Sequence, residues 1–162
     1  MPVTTDIVAS YRRPAQVMRR LLSAGTREDR ALAMLMAGCV LAFISQLPRL
    51  SREAHLTGEE LNPMLGGALF AWLFIAPLMF YLIAALSHLV ARLFKGKGDW
   101  FGARLALFWA FLAASPLMLL NGLTAGFVGP GAALTLVGFV WFVAFMVIWL
   151  VSLKVAETDG PA

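Results

Sequence analysis

The side chains that could carry chemistry in this chain are few and scattered. The two histidines, His55 and His88, lie far apart in the sequence, and Cys39 is the single cysteine. A metal site needs several such ligands, and a disulfide within the chain needs two cysteines. Ser87 directly precedes His88, but neighbouring positions of a helix point about 100° apart, and no third partner completes a nucleophilic triad. We therefore predict no catalytic residue, no metal ligand and no cofactor, and we expect no enzyme.

The elements that would position these side chains are long apolar segments. Hydrophobic residues make up 60% of the 162 residues, and mean hydropathy is +0.81. No Asp, Glu, Lys or Arg occurs within residues 31–47, 64–91, 105–128 or 130–153. A helix that crosses a bilayer needs about 20 such residues, because its backbone groups must be satisfied within the helix itself. The sequence predicts an all-α, polytopic membrane protein with four transmembrane helices.

Prolines and glycines predict where these helices end or bend. Pro48 should end the first span, and a polar loop should then cover residues 49–63, because proline lacks the backbone N–H that continues a helix. Pro77 should kink the second span and Pro116 the third. The sequence Gly129-Pro130-Gly131 should form the turn into the fourth span.

Residues 5–23 have apolar side chains at helical spacing along one side. Pro14 should divide this segment into two short helices. The opposite side carries basic residues that we single out as lipid or partner contacts, namely Arg12, Arg13, Arg19 and Arg20. An amphipathic helix of this kind lies flat at a membrane surface with its arginines toward anionic head groups. The alternative is a helix packed on the cytoplasmic loops.

The basic residues also predict the topology. With four spans, eleven of the 13 Lys and Arg residues fall on one side of the membrane and two on the other. Cytoplasmic loops retain Lys and Arg, so both termini and residues 92–104 should be cytoplasmic, in the inner membrane of a bacterium. The formal charge of +4 then reflects topology and lipid contact, and we expect no nucleic-acid partner. Residues 1–30 form a cytoplasmic amphipathic segment, 31–155 the transmembrane domain, and 156–162 a short cytoplasmic tail.

Small residues recur at four-residue spacing in the predicted spans, most clearly in the third span at Ala106, Ala110, Ala114, Gly122 and Gly126. Such positions let helix backbones approach closely, which drives helix association in lipid. We predict that they pack helices within one chain, and a dimer interface is the alternative. The spans contain no ionisable group at mid-membrane, where transporters keep such groups.

Three sequence segments resemble the Yip family, the Ypt-interacting proteins, in its bacterial branch. They are Arg13-Pro14-Ala15-Gln16-Val17-Met18-Arg19-Arg20-Leu21, Gly96-Lys97-Gly98-Asp99-Trp100-Phe101-Gly102-Ala103-Arg104 and Ser115-Pro116-Leu117. Eukaryotic members are polytopic proteins of vesicle traffic that contact small GTPases. The resemblance implies a Yip-like transmembrane domain over residues 31–155, although the family often has five spans.

We expect a non-enzymatic membrane protein that organises the membrane as a scaffold for lipids or proteins. Its expected partners are anionic lipid head groups and another membrane protein or a second copy, with no small-molecule substrate identified. The alternative is a small permease or channel subunit.

Overall fold

The computed structural model describes residues 3–158, and every regular element in this range is helical. The order along the chain is α1 (Val3–Ser10), α2 (Pro14–Ser23), α3 (Glu28–Thr57), α4 (Leu61–Phe70), a π-helical segment (Ala71–Ile75), α5 (Ala76–Leu93), α6 (Trp100–Ala113), α7 (Ser115–Phe127) and α8 (Ala132–Thr158). Three helices are long and apolar enough to cross a membrane: α3, the continuous Leu61–Leu93 helix, and α8. The pair α6 and α7, bent by 45°, makes a fourth when it is counted as one span.

Helix α3 continues through Pro48 to Thr57, so the prediction that Pro48 ends the first span is wrong. The predicted loop 49–63 is also wrong, because α4 begins at Leu61. A methyl group at Gly126 would lie 2.2 Å from Cβ of Pro48, so the proline packs directly against α7. We attribute the unbroken helix to this contact and to the ion pair of Arg49 with Glu53, one turn apart at 3.0 Å. Gly58 ends the helix with φ 75°, the left-handed conformation that glycine adopts without strain.

The second span accommodates Pro77 with a π-helical segment instead of a break. Pro77 has no N–H to donate to the carbonyl of Leu73, four residues earlier, and Leu73 lies within the π-helical segment. A π-bulge is a known cause of irregularity in a helix. The span nevertheless stays continuous over 33 residues, from Leu61 to Leu93.

The third span bends where Pro116 predicts it. Helix α6 starts at Trp100, where the Asp99 side chain accepts a hydrogen bond from the Gly102 N–H at 2.7 Å. It lies at the centre of the bundle between α3, α5 and α8. Its side chains are buried along almost the whole length, with Phe108 and Trp109 among the largest that are fully buried.

Helices α3 and α6–α7 run side by side in the same direction. Arg104 at the start of α6 forms an ion pair with Glu28 at the start of α3. Gly122 of α7 lies against the backbone of Ser45, further along α3. We call the end of the bundle that holds Trp100 and Glu157 the Glu157 end, and the opposite end the Thr57 end.

The fourth span begins after the predicted turn, where Gly129 and Gly131 have φ of 85° and 152°. Helix α8 continues to Thr158. Residues 156–158 of the predicted tail are therefore helical, and Ala156 and Glu157 are buried. The predicted tail residues 159–162 and the first two residues of the chain lie outside the described range.

Candidate functional site

A buried pair of ionisable side chains closes the Glu157 end of the bundle. Nδ1 of His88, on α5, lies 2.6 Å from Oε1 of Glu157, near the end of α8. Only 2% and 4% of these side chains are exposed. The second carboxylate oxygen accepts a hydrogen bond from the Gly98 N–H at 3.1 Å. We call His88, Gly98 and Glu157 the His–Glu cluster.

The loop between α5 and α6 wraps tightly around the end of α8. The Lys97 N–H donates to the backbone carbonyl of Glu157 at 2.7 Å. A methyl group at Gly98 would lie 2.4 Å from the carbonyl oxygen of Ala156, and one at Gly96 would lie 2.7 Å from Oε2 of Glu157. A methyl group at Gly96 would also lie 2.8 Å from the backbone carbonyl oxygen of Ala91. Both positions therefore favour glycine, because a side chain would press Gly98 against the backbone of α8 and Gly96 against that of α5.

The His–Glu cluster joins three separate parts of the chain. The carboxylate accepts a hydrogen bond from the Gly98 N–H of the loop and contacts the imidazole, so it links the ends of α5 and α8 and the loop. The Trp100 ring lies 4.5 Å from the His88 ring, measured between centroids, and covers it. Within residues 3–158, no three His, Cys, Asp or Glu side chains are grouped so that they could hold a metal ion.

Sequence reasoning found no partner for His88, because Glu157 is 69 residues away. The charge-free segment ends at residue 153, so the sequence assigns Glu157 to the tail. The signal that was available is the glycine pair in Gly96-Lys97-Gly98, which indicates close backbone contact. His55 is exposed in the last turn of α3, far along the chain from the cluster.

The N-terminal segment forms two helices separated at Pro14, as predicted, and it is attached to α6 by side-chain hydrogen bonds. Trp109 Nε1–H donates to Ser10 Oγ at 2.9 Å. The Tyr11 hydroxyl donates to the carbonyl of Ala113 at 2.7 Å, where α6 ends and the third span bends. Burial raises the pKa of the Tyr11 phenol above its usual 10.0. The raised pKa favours the protonated phenol, which is the form that can donate this hydrogen bond.

The apolar side of α2 packs against the spans, which corrects the prediction that it faces lipid. Val17, Met18 and Leu21 are all buried, at 3%, 0% and 4% exposure, and α2 contacts α8. Lipid provides little hydrophobic drive for or against contact between helices. Close packing against the rigid spans therefore determines that the apolar side of α2 faces the bundle. The most exposed apolar side chains of the N-terminal segment are Val3 and Val8 of α1.

The four arginines singled out from the sequence, Arg12, Arg13, Arg19 and Arg20, are all exposed. Arg20 forms an ion pair with Asp6 of α1, whose side chain is buried. Arg20 therefore neutralises a buried carboxylate as well as contributing surface charge. Arg12 and Arg13 lie at the turn between α1 and α2, on the exposed side of the segment.

The small residues of the third span lie inside the bundle. Ala106, Ala110 and Ala114 are fully buried. A methyl group at Gly122 would lie 2.0 Å from the Ser45 carbonyl oxygen, so α7 meets α3 at backbone contact distance. The glycines thus face a helix of the same chain, and that surface is not open to a second copy.

These features together define a polytopic helical membrane protein in which a bent central span is covered by three others and by a docked N-terminal segment. The family model of the Yip1 domain matches residues 8–159, so the chain belongs to the Yip1 family. No curated protein and no solved structure matches the chain. The resemblance to the Yip family is confirmed, and the match includes α2, the long apolar helices and Glu157.

Proposed function

We propose that this chain is a non-enzymatic scaffold of a bacterial inner membrane that organises lipids or partner proteins, with both termini in the cytoplasm. One observation carries the proposal, the packing of the bundle centre. Residues 105–115 are all buried, and Leu107, Phe108 and Trp109 fill the space between the surrounding helices. A permeation pathway would need polar or ionisable groups along a hydrated line through the bundle. A centre filled by aliphatic and aromatic side chains favours a scaffold over a permease.

The outer surface supports the same proposal. The long helix Leu61–Leu93 and helix α8 are the least covered spans, with 11% and 6% of their apolar windows buried within the protein. Large side chains such as Phe74, Leu78 and Phe139 are more than half exposed. These surfaces are available to lipid and to the spans of other membrane proteins.

A flux measurement in liposomes tests the scaffold against the permease. Purified protein should release ions and small solutes no faster than vesicles without protein. Asn121 is a polar residue of α7 whose Oδ1 is buried without a hydrogen-bond partner among the described residues. Flux above that level, reduced by Asn121→Ala, would overturn the scaffold proposal and support the permease.

Site-specific photo-crosslinking in native membranes gives a positive test. A crosslinking residue in place of exposed Phe139 should capture lipid or a defined membrane protein. The same residue in place of buried Phe108 is the matched control and should react only within the chain. Reaction confined to the chain at both positions would argue against an interaction surface on α8.

We also propose that α1 and α2 lie at the cytoplasmic membrane surface. The exposed arginines face outward while Val17, Met18 and Leu21 hold α2 on the bundle. Each arginine near an anionic surface contributes roughly 1 kcal/mol, and this contribution decreases with added salt. The segment is therefore held by the protein and oriented by the lipid.

The test uses a fluorophore attached at Gln16→Cys in a Cys39→Ser background, in nanodiscs. Anionic lipid with a quencher on its head group should quench the fluorophore, and high salt should reduce the quenching. Replacing Arg12 and Arg13 with Gln should weaken it, whereas Lys97→Gln should not. Quenching that is changed neither by salt nor by the replacement of Arg12 and Arg13 would show that the segment does not contact anionic lipid.

A further inference from the structure

An open groove lies between α5 and α8 on the outer surface of the bundle. It has a volume of about 440 Å³ and is lined by apolar side chains that include Ile83, Leu86, Val90, Trp149, Leu150 and Leu153. Ligand sites in proteins usually occupy about 300–1,000 Å³. A transmembrane helix, about 10 Å across, would not enter a groove of this volume, whereas an acyl chain would.

Three basic residues stand next in sequence to residues that line this groove at the Glu157 end. Ala91, Phe94 and Leu153 line the groove, and each stands next to a cation in the sequence. These cations are Arg92, Lys95 and Lys154, and all three are exposed. An apolar groove with exposed, flexible cations next to its lining residues at one end matches a lipid that has a hydrocarbon chain and an anionic head group.

Trp149 contributes a second, independent observation. Its ring lines the groove, and its indole Nε1–H is buried without a hydrogen-bond partner among the residues that the structure describes. A buried donor without an acceptor is costly, so an acceptor that a bound molecule brings to this side of the ring would stabilise the complex. Trp149 lies five residues before Lys154, about 7.5 Å along α8 and toward the hydrocarbon. The ester carbonyls of a phospholipid lie on that side of its phosphate.

We propose that this groove binds a glycerophospholipid with an anionic head group. One acyl chain lies along the apolar walls, the phosphate meets Arg92, Lys95 and Lys154, and an ester carbonyl accepts the Trp149 N–H. The inference rests on the proposed scaffold function and deepens it, because it names the class of lipid that is held and the place that holds it.

Native mass spectrometry of the full-length protein, loaded with phosphatidylglycerol or phosphatidylcholine of identical acyl chains, tests the proposal. The protein should retain phosphatidylglycerol about tenfold better, the size expected for cations near an anionic group. The double variant Arg92→Gln, Lys95→Gln should lower this preference toward one. Lys97→Gln is the matched control, since Lys97 is exposed on the same loop but adjoins no groove-lining residue, and it should leave the preference unchanged.

Trp149→Phe separates the ester contact from the charge contact. The ester is common to both lipids, so this variant should lower the retention of both by a similar factor while it preserves the aromatic ring. Leu86→Trp should obstruct the groove and lower both. Protection of the Cys39 thiol from labelling shows that each variant is folded.

Equal retention of the two lipids by the unchanged protein would overturn the proposal. A Lys97→Gln effect as large as that of the double variant would overturn it too, because it would indicate general surface charge. Displacement of bound lipid by a second copy or another protein would assign the groove to that partner. Each of these results is independent of flux in liposomes, so the scaffold proposal and the lipid site can fail separately.

Discussion

Replacing Gly122 with alanine should separate the two most closely packed helices of the bundle. The added methyl group would lie 2.0 Å from the Ser45 carbonyl oxygen and 2.8 Å from its carbonyl carbon. Both are backbone atoms, so no side-chain rotation can relieve the contact. To reach the ordinary contact distance of at least 3.4 Å, α3 and α7 must move apart by about 1.4 Å.

The cost follows from this displacement. Overpacking a well-packed core destabilises a protein by roughly 1–3 kcal/mol, and alanine offsets at most about 1 kcal/mol of this through its higher helix propensity. Gly66→Ala is the matched control, because Gly66 is also helical but has no atom within 4 Å of its added methyl group. Gly66→Ala should gain only the stabilisation from the higher helix propensity of alanine. The stabilities of the two variants should therefore differ by about 2 kcal/mol.

The protein contains its own reporter for this measurement. Cys39 is the single cysteine and is fully buried on α3. A thiol reagent can modify it only when the bundle opens, so the labelling rate in detergent reports the population of the open state. A difference of about 2 kcal/mol corresponds to labelling roughly 30-fold faster in Gly122→Ala than in Gly66→Ala.

Equal labelling rates in these two variants would refute the reasoning, since they would show that α3 and α7 do not pack at backbone contact. Gly126→Ala provides an independent repetition, because its methyl group would lie 2.2 Å from Cβ of Pro48. It should also accelerate the labelling of Cys39. Acceleration by only one of the two glycine variants would limit the close contact to that part of α7.

Three further predictions concern other parts of the molecule. Glu157→Gln should lose a charged hydrogen-bond acceptor and destabilise the bundle by about 1–3 kcal/mol, measured by Cys39 labelling; an unchanged rate would show that the His–Glu cluster does not stabilise the fold. Tyr11→Phe should remove the hydrogen bond to α6 and weaken the docking of α1 by about 1 kcal/mol, seen as faster amide hydrogen exchange in α1; unchanged exchange would contradict this. In a Cys39→Ser background on intact cells, an impermeant maleimide should label Thr57→Cys and not Lys97→Cys, and the reverse would mean an inverted topology.

The long apolar helices and their approximate positions were accessible from the sequence. Hydrocarbon cannot satisfy a backbone N–H or C=O, so any long charge-free segment must form a helix whatever its neighbours are. The bend at Pro116 and the turn at Gly129-Pro130-Gly131 follow from local backbone chemistry in the same way. The division of the N-terminal segment at Pro14 is also local, which explains why it was predicted correctly.

Contacts between residues that lie far apart in the sequence were determined only by the tertiary structure. Pro48 does not end α3, and Gly126 of α7, against which it packs, is 78 residues further on. The three buried side chains of α2 face the spans because a complementary surface exists there, and amphipathicity alone does not distinguish such a surface from a membrane.

The His–Glu cluster also depends on the tertiary structure and could not be predicted from the sequence. Neither His88 nor Glu157 carries a local signal of a partner, and they meet only because α5 and α8 end side by side under a glycine loop that can approach closely. A periodic pattern reports which side of a helix is apolar, since that property belongs to the helix itself. The surface that packs against that side depends on how all the helices pack together, and so does the pairing of buried polar side chains.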